Sequence, residues 1–144
     1  MEGPQASGRC LCGAVRFEVR GPLRAVLICH CRECRRWGGH AFAATAALRN
    51  DLVVVGDTLA WIDSPESDTG ARRGFCRSCG SSLFWEAAGS ESISIAAGAL
   101  DEPTGLKVVA HVYARQVPDY YELPEDGLPR YPGLSRSPRL VADD

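Results

Sequence analysis

Seven cysteines in a chain of 144 residues, all within three short clusters, constrain this fold more than any other feature. Cys10 and Cys12 form a C-x-C pair, and Cys29, Cys31 and Cys34 a C-x-C-x-x-C run. Cys76 and Cys79 form a C-x-x-C followed directly by Gly80. The count is odd, and the N-terminus has neither the basic start nor the apolar core of an export signal. Both features predict reduced thiols in a cytoplasmic protein rather than a disulfide framework. Clustered thiols in a reducing compartment point to metal, and an all-thiolate donor set points first to zinc.

Local geometry divides the cysteines into two groups. In an extended segment residues i and i+2 face the same side, so Cys10 and Cys12 can address one ion. Cys76-Arg77-Ser78-Cys79-Gly80 reads as a zinc knuckle, a tight turn in which glycine takes the left-handed conformation that other residues resist. Pair and knuckle together supply four thiolates, enough for a closed tetrahedral site of the structural kind. Cys29, Cys31 and Cys34 remain. Three protein ligands leave a fourth position open, as a catalytic or ligand-binding zinc requires. The expected load is two zinc ions per chain.

Composition narrows the class. Hydrophobic residues are 45% and charged residues 24% of the chain, values of a globular domain that exclude disorder throughout, a collagenous chain and a coiled coil. No apolar run reaches the ~18–20 residues of a membrane span. A net charge of −2 predicts no general nucleic-acid partner. Seven thiolates and two divalent cations would make the chain three charges more negative still. Arg9, Arg32, Arg35, Arg36, Arg72, Arg73 and Arg77, all close to a cysteine cluster, can offset that charge or clamp a substrate carboxylate.

Patterning predicts a mainly β domain with little helix. Val15, Phe17 and Val19 alternate along a strand over 14–20, and Gly21-Pro22 breaks it. An apolar run over 23–28 leads to Cys29, and Cys31 to Trp37 allows one or two helical turns that Gly38-Gly39 ends. Further strands are expected over 40–49, 52–55, 58–62, 72–75, 82–86, 93–97 and 107–114, with a polar loop over 63–70. Residues 1–7 read as a flexible lead. The prolines at 129, 132 and 138 suggest a loosely ordered tail over 133–144.

These motifs resemble the glutathione-dependent formaldehyde-activating enzyme family, which also includes centromere protein V. The resemblance begins at Gly8-Arg-Cys10-Leu-Cys12-Gly13 and continues through Cys29-His30-Cys31-Arg-Glu-Cys34. It resumes at Arg73-Gly-Phe75-Cys76-Arg-Ser-Cys79-Gly80, at Gly98-Ala-Leu100-Asp101 and at His111-Val-Tyr113, and runs to about Pro132. It implies one zinc-binding domain over 8–132, built as a zinc-stapled β-tent of short, coiled antiparallel sheets. It also implies a structural zinc on Cys10, Cys12, Cys76 and Cys79 and an active-site zinc on Cys29, Cys31 and Cys34. The implied activity is a carbon–sulfur lyase that joins glutathione to formaldehyde or reverses that reaction. Where many members carry tryptophan after the histidine-containing strand, this chain has Asp119-Tyr120-Tyr121.

The chemistry fits the residues, since a thiol that coordinates zinc loses its proton and becomes a nucleophile towards an aldehyde. Two other readings share the same cysteines: a non-catalytic zinc module for a protein or small-molecule partner, and a redox sensor whose C-x-C-x-x-C thiols release zinc on oxidation. Of the histidines, His30 points away from its flanking cysteines if extended, His40 is a candidate to line the site, and His111 reads as a hydrogen-bonded core residue. Elemental analysis of protein purified without chelator is expected to give close to two zinc ions per chain with no reactive thiols. One zinc with three reactive thiols would leave the second site vacant.

Overall fold

The computed structural model describes residues 4–134. Ten strands follow in order: β1 (Ala6–Arg9), β2 (Arg16–Val19), β3 (Val26–Cys29), β4 (Phe42–Leu48), β5 (Leu52–Val55), β6 (Leu59–Asp63), β7 (Arg72–Cys76), β8 (Ser82–Glu86), β9 (Ser92–Ala96) and β10 (Val108–Val112). One α-helix, α1 (Arg32–Gly38), and three single 3-10 turns complete the described residues. The mainly β reading therefore holds. Strands β1, β2 and β5 form a small antiparallel sheet in that order, and a second sheet runs β10-β3-β4-β9-β8-β7-β6.

Two features depart from the sequence expectations. The flexible lead ends earlier than residue 7, because Ala6 and Ser7 already pair with Val19 and Glu18 on β2. Backbone hydrogen bonds rather than apolar alternation hold this strand, so its side chains carried no signal. Second, β3 and β10 run parallel, against the expectation of antiparallel sheets throughout. Of the expected tail, residues 135–144 lie outside the described residues, as do residues 1–3.

The core lies where the two sheets face each other. Val15, just before β2, and Phe17 and Val19 on it share one buried cluster with Leu83, Phe84, Ile93 and Ile95 of the larger sheet. Phe17 meets Phe84 edge to face with ring centres 5.4 Å apart, and Trp61 stacks on the same Phe84. Each such side chain contributes about 1.5–3 kcal/mol by leaving water. Gly8 belongs to this contact: a Cβ there would strike the Phe17 ring and the Ala99 carbonyl.

Helix α1 is short but defined at both ends. Cys31 caps its start, its Sγ accepting from Cys34 N at 3.3 Å. Gly39, at φ 90°, closes its end and donates its N–H to Arg35 O. Glu33 in the first turn and Arg35 and Arg36 in the last oppose the helix dipole. Leu83 is fully buried in the core cluster. Leu83→Ala is expected to cost about 2–5 kcal/mol in urea unfolding of the metal-loaded protein, with the zinc content unchanged.

Candidate metal centres

The tip that joins β1 to β2 and the turn after β7 bring four sulfurs together. The Sγ atoms of Cys10, Cys12, Cys76 and Cys79 all lie within 4.8 Å of one another. Cys10 and Cys12 are 3.7 Å apart, and Cys12 and Cys76 3.9 Å. Zn–S bonds of 2.3 Å give a tetrahedron with edges of about 3.8 Å, so this donor set fits zinc. The backbone prepares the cluster on both sides. Gly13 N bonds Cys10 O, and Val15 N donates to Cys10 Sγ at 3.3 Å. Gly80, at φ 81°, returns its N–H to Cys76 O at 2.7 Å. Thr58 and Ser81 set hydroxyls beside Cys76 and Cys79.

A second group forms where β3 meets α1. Cys29 ends the strand, Cys31 caps the helix and Cys34 lies in its first turn; their three sulfurs again fall within 4.8 Å of one another. All three are half-buried, and all three line a cavity of about 510 Å³. Neither cluster includes a histidine. Each can hold a metal ion, and the two differ in surroundings. The four-sulfur cluster is complete by itself, whereas the three-sulfur cluster opens onto the cavity.

The charge beside the second cluster comes from Arg73. It is almost fully buried, its Nη2 lies 3.9 Å from Cys34 Sγ, and it pairs with Glu33 at 3.4 Å. Ser64 joins them, accepting from Arg73 Nε and donating to Glu33 Oε1. Of the three arginines nearest in sequence, Arg32 lines the cavity, while Arg35 donates to His30 O and Arg36 stays on the exposed face of α1. Arg9, Arg72 and Arg77 bind Cys10 O, Glu86 and Asp57 O respectively, and none of them lines the cavity.

The histidines form a hydrogen-bonded chain behind the cysteines. His30, fully buried, has Nε2 2.9 Å from His111 Nδ1, and His111 Nε2 lies 2.8 Å from Asp126 Oδ2. The Asp126 carboxylate accepts from His111 Nε2–H, which leaves His111 Nδ1 to accept from His30. Burial pushes the His30 pKa down to about 4, so its ring is neutral at physiological pH. His40 turns to the Tyr120 hydroxyl at 2.7 Å and lies outside the cavity lining. Tyr121 stacks on His30 and meets His40 edge on, so the tyrosine pair serves as an aromatic cover for both rings.

Tyr113 and Arg24 were not legible as site residues. Tyr113 holds a left-handed backbone (φ 54°, ψ 38°) at the cavity wall, a conformation that costs a non-glycine residue on the order of 1 kcal/mol or more. Burial, and then charge at Cys29, raise its phenol pKa. Arg24 reaches the cavity from the segment before β3.

The cysteine arrangement can be set against known proteins. A sequence model described as glutathione-dependent formaldehyde-activating enzyme matches residues 5–116, a span that contains all seven cysteines. The chain belongs to this family. An uncharacterized lyase of Schizosaccharomyces pombe is 28% identical over 82 residues, 57% of this chain and 58% of that protein. This chain thus spans little more than half the length of that relative. A crystal structure of a Rhodobacter sphaeroides protein matches with a TM-score of 0.53 at 25% identity, over 86% of this chain and 98% of its own. No helix among the described residues is long and apolar enough to cross a membrane.

In this family member the clustered sulfurs share their protons unevenly. Hydrogen bonds from Cys29 and Cys34 pull the Cys31 thiol down to about 2, and the same bonds push Cys29 far above the usual range. In the four-sulfur cluster, the Ser81 hydroxyl draws Cys79 down to about 5. A backbone bond from Ala14 pulls Cys12 down, but loss of water and the sulfurs of Cys10, Cys79 and Cys76 outweigh it and raise Cys12 to about 11. Cys34 is raised as well, to about 11, so each cluster retains at least one proton at neutral pH that a metal must displace. Zinc affinity is expected to rise with pH by about tenfold per unit for every proton displaced, measured by competition with a chromophoric chelator from about pH 6 to 8. A flat profile would contradict this proton balance.

Proposed function

We propose that the protein is a zinc-dependent carbon–sulfur lyase that forms or cleaves the adduct between a small thiol of the glutathione type and an aldehyde such as formaldehyde. The observation that carries this reading is the contrast between the clusters: four sulfurs closed on themselves, and three at the wall of a substrate-sized cavity. The first is the structural zinc site, formed by Cys10, Cys12, Cys76 and Cys79. The second, Cys29, Cys31 and Cys34, is the active site. Family membership and the lyase name of the fission-yeast relative support the same reaction class.

Zinc held by the three cysteines would accept a substrate sulfur in its open position and favour the thiolate. The remaining work falls to the chain. Three thiolates around a divalent ion would leave one excess negative charge, and the buried Arg73 guanidinium, shared with Glu33, lies beside it at Cys34. Half-burial of the cysteines limits competing water. As the sulfur lone pair adds to the carbonyl carbon, the C=O π electrons move to oxygen, which takes up from solvent a proton equivalent to the one the thiol released there, so the step conserves protons. The Tyr113 phenol at the same wall keeps its hydrogen at neutral pH, so it can bond that oxygen as charge develops. In the reverse direction the hydroxyl loses its proton, the C–S electron pair passes to sulfur as the bond breaks, and the thiolate regains a proton as thiol and aldehyde leave.

The two clusters are expected to fail differently. A structural zinc contributes ~10–16 kcal/mol at neutral pH against a whole-domain stability of ~5–15 kcal/mol. Cys76→Ser is expected to be insoluble and strong chelation to unfold the protein. Cys34→Ser is expected to fold with one zinc and to lose saturable turnover of thiol and aldehyde above the spontaneous rate. Retention of the second zinc and of turnover in the serine variants of Cys29, Cys31 and Cys34 would sink the reading.

A further inference from the structure

The cavity that holds the three cysteines contains a second chemical feature away from the sulfurs. Arg24 lines it, and no carboxylate among the described residues pairs with its guanidinium. Its Nε donates to Ala25 O at 3.2 Å and its Nη2 to Ala44 O at 2.9 Å. An arginine has five N–H donors, so three remain for a ligand. Burial lowers its pKa only to about 10, which leaves it charged at neutral pH. The other buried cation of this cavity, Arg73, is already engaged by Glu33 and Ser64.

Strand register measures the separation. Cys29 pairs with Phe42 and Leu27 with Ala44, so Cys29 and Ala44 sit two residues apart along β4. Two residues of a strand span about 7 Å, which places the Arg24 guanidinium roughly that far from the level of Cys29. The sheet between them is floored by small side chains. Ala44 pairs with Ala96 and Ala46 with Ser94, and all four line the cavity. Alanine and serine at these positions leave open a volume that larger strand residues would fill.

We propose that Arg24 is the anion-recognition residue of this cavity, and that the substrate is a thiol with a carboxylate about 7–10 Å from its sulfur, laid along the alanine and serine floor of β4 and β9. This rests on the lyase reading for the sulfur end alone. The anion end depends on Arg24, its donors and the floor.

Binding of simple thiols to the zinc-loaded protein, measured by calorimetry, tests the inference. Mercaptohexanoate is expected to bind about tenfold tighter than mercaptohexanol, and tighter than mercaptopropionate or mercaptoundecanoate. In Arg24→Ala the carboxylate advantage should vanish while mercaptohexanol binding is unchanged, and Arg24→Lys should restore part of it. Zinc content equal to that of the wild type checks folding. A wild-type series with no chain-length optimum, or an advantage that survives in Arg24→Ala, would overturn the proposal, and the wild-type series needs no variant. Hexanoate separates the two readings. Arg24-dependent hexanoate binding with mercaptohexanol binding indifferent to Cys34→Ser would keep the anion site and refute the thiol chemistry. Cys34-dependent mercaptohexanol binding without a carboxylate advantage would do the reverse.

Discussion

Four sulfurs within 4.8 Å of one another, drawn from a hairpin tip and a turn 64 residues further on, are the constraint on which the rest of this molecule depends. Without a metal, thiols this close compete for protons and repel as they ionise. With one, the repulsion becomes a clamp between the small sheet and the large one. The apolar core lies beside this clamp: Cys10 and Cys76 are buried in the same cluster as Val15, Phe17 and Leu83. A metal held by these sulfurs would therefore act on the same layer as the hydrophobic packing.

Much of the fold was legible because its signals are local. Val15, Phe17 and Val19 alternate as a half-buried strand must, and Gly39 ends α1 for the reason glycine usually does. The grouping of cysteines followed from spacing, since a C-x-C and a knuckle impose directions on their sulfurs within a few residues. What stayed hidden depends on distant neighbours. Ala6 to Arg9 has no alternating pattern and becomes a strand only because β2 is beside it. The parallel pairing of β3 with β10 leaves no mark in either segment. His30, His111 and Asp126 are spread over nearly a hundred residues and meet only in space. Arg24 sits inside the apolar run that follows the Gly-Pro break, and only the fold brings it to the cavity.

The second cluster shows how a short helix and a strand end can make a site that neither contains alone. Cys29 is directed by the sheet, Cys34 by the helix, and Cys31 by the cap that joins them. Behind this turn the two imidazoles are buried and hydrogen-bonded to each other, and the exposed Asp126 carboxylate holds the outer ring, His111. A buried chain of this kind has little freedom, because each ring can offer only one nitrogen as donor while neutral. Arg73 supplies the matching restraint from the opposite side, tying β7 to α1 through Glu33 and Ser64.

The parallel partnership of β3 and β10 also sets an order of events during synthesis. Everything needed for the four-sulfur cluster has left the ribosome once Cys79 has emerged. Cys29 already has β4 on one side by then, but its other flank stays bare until Val112 arrives. At ~5–20 residues per second that interval lasts on the order of 2–7 s. During those seconds the nascent chain is anchored at one end and exposes three thiols and an unpaired strand edge at the other. The place where chemistry is proposed is thus the last part of the domain to be enclosed.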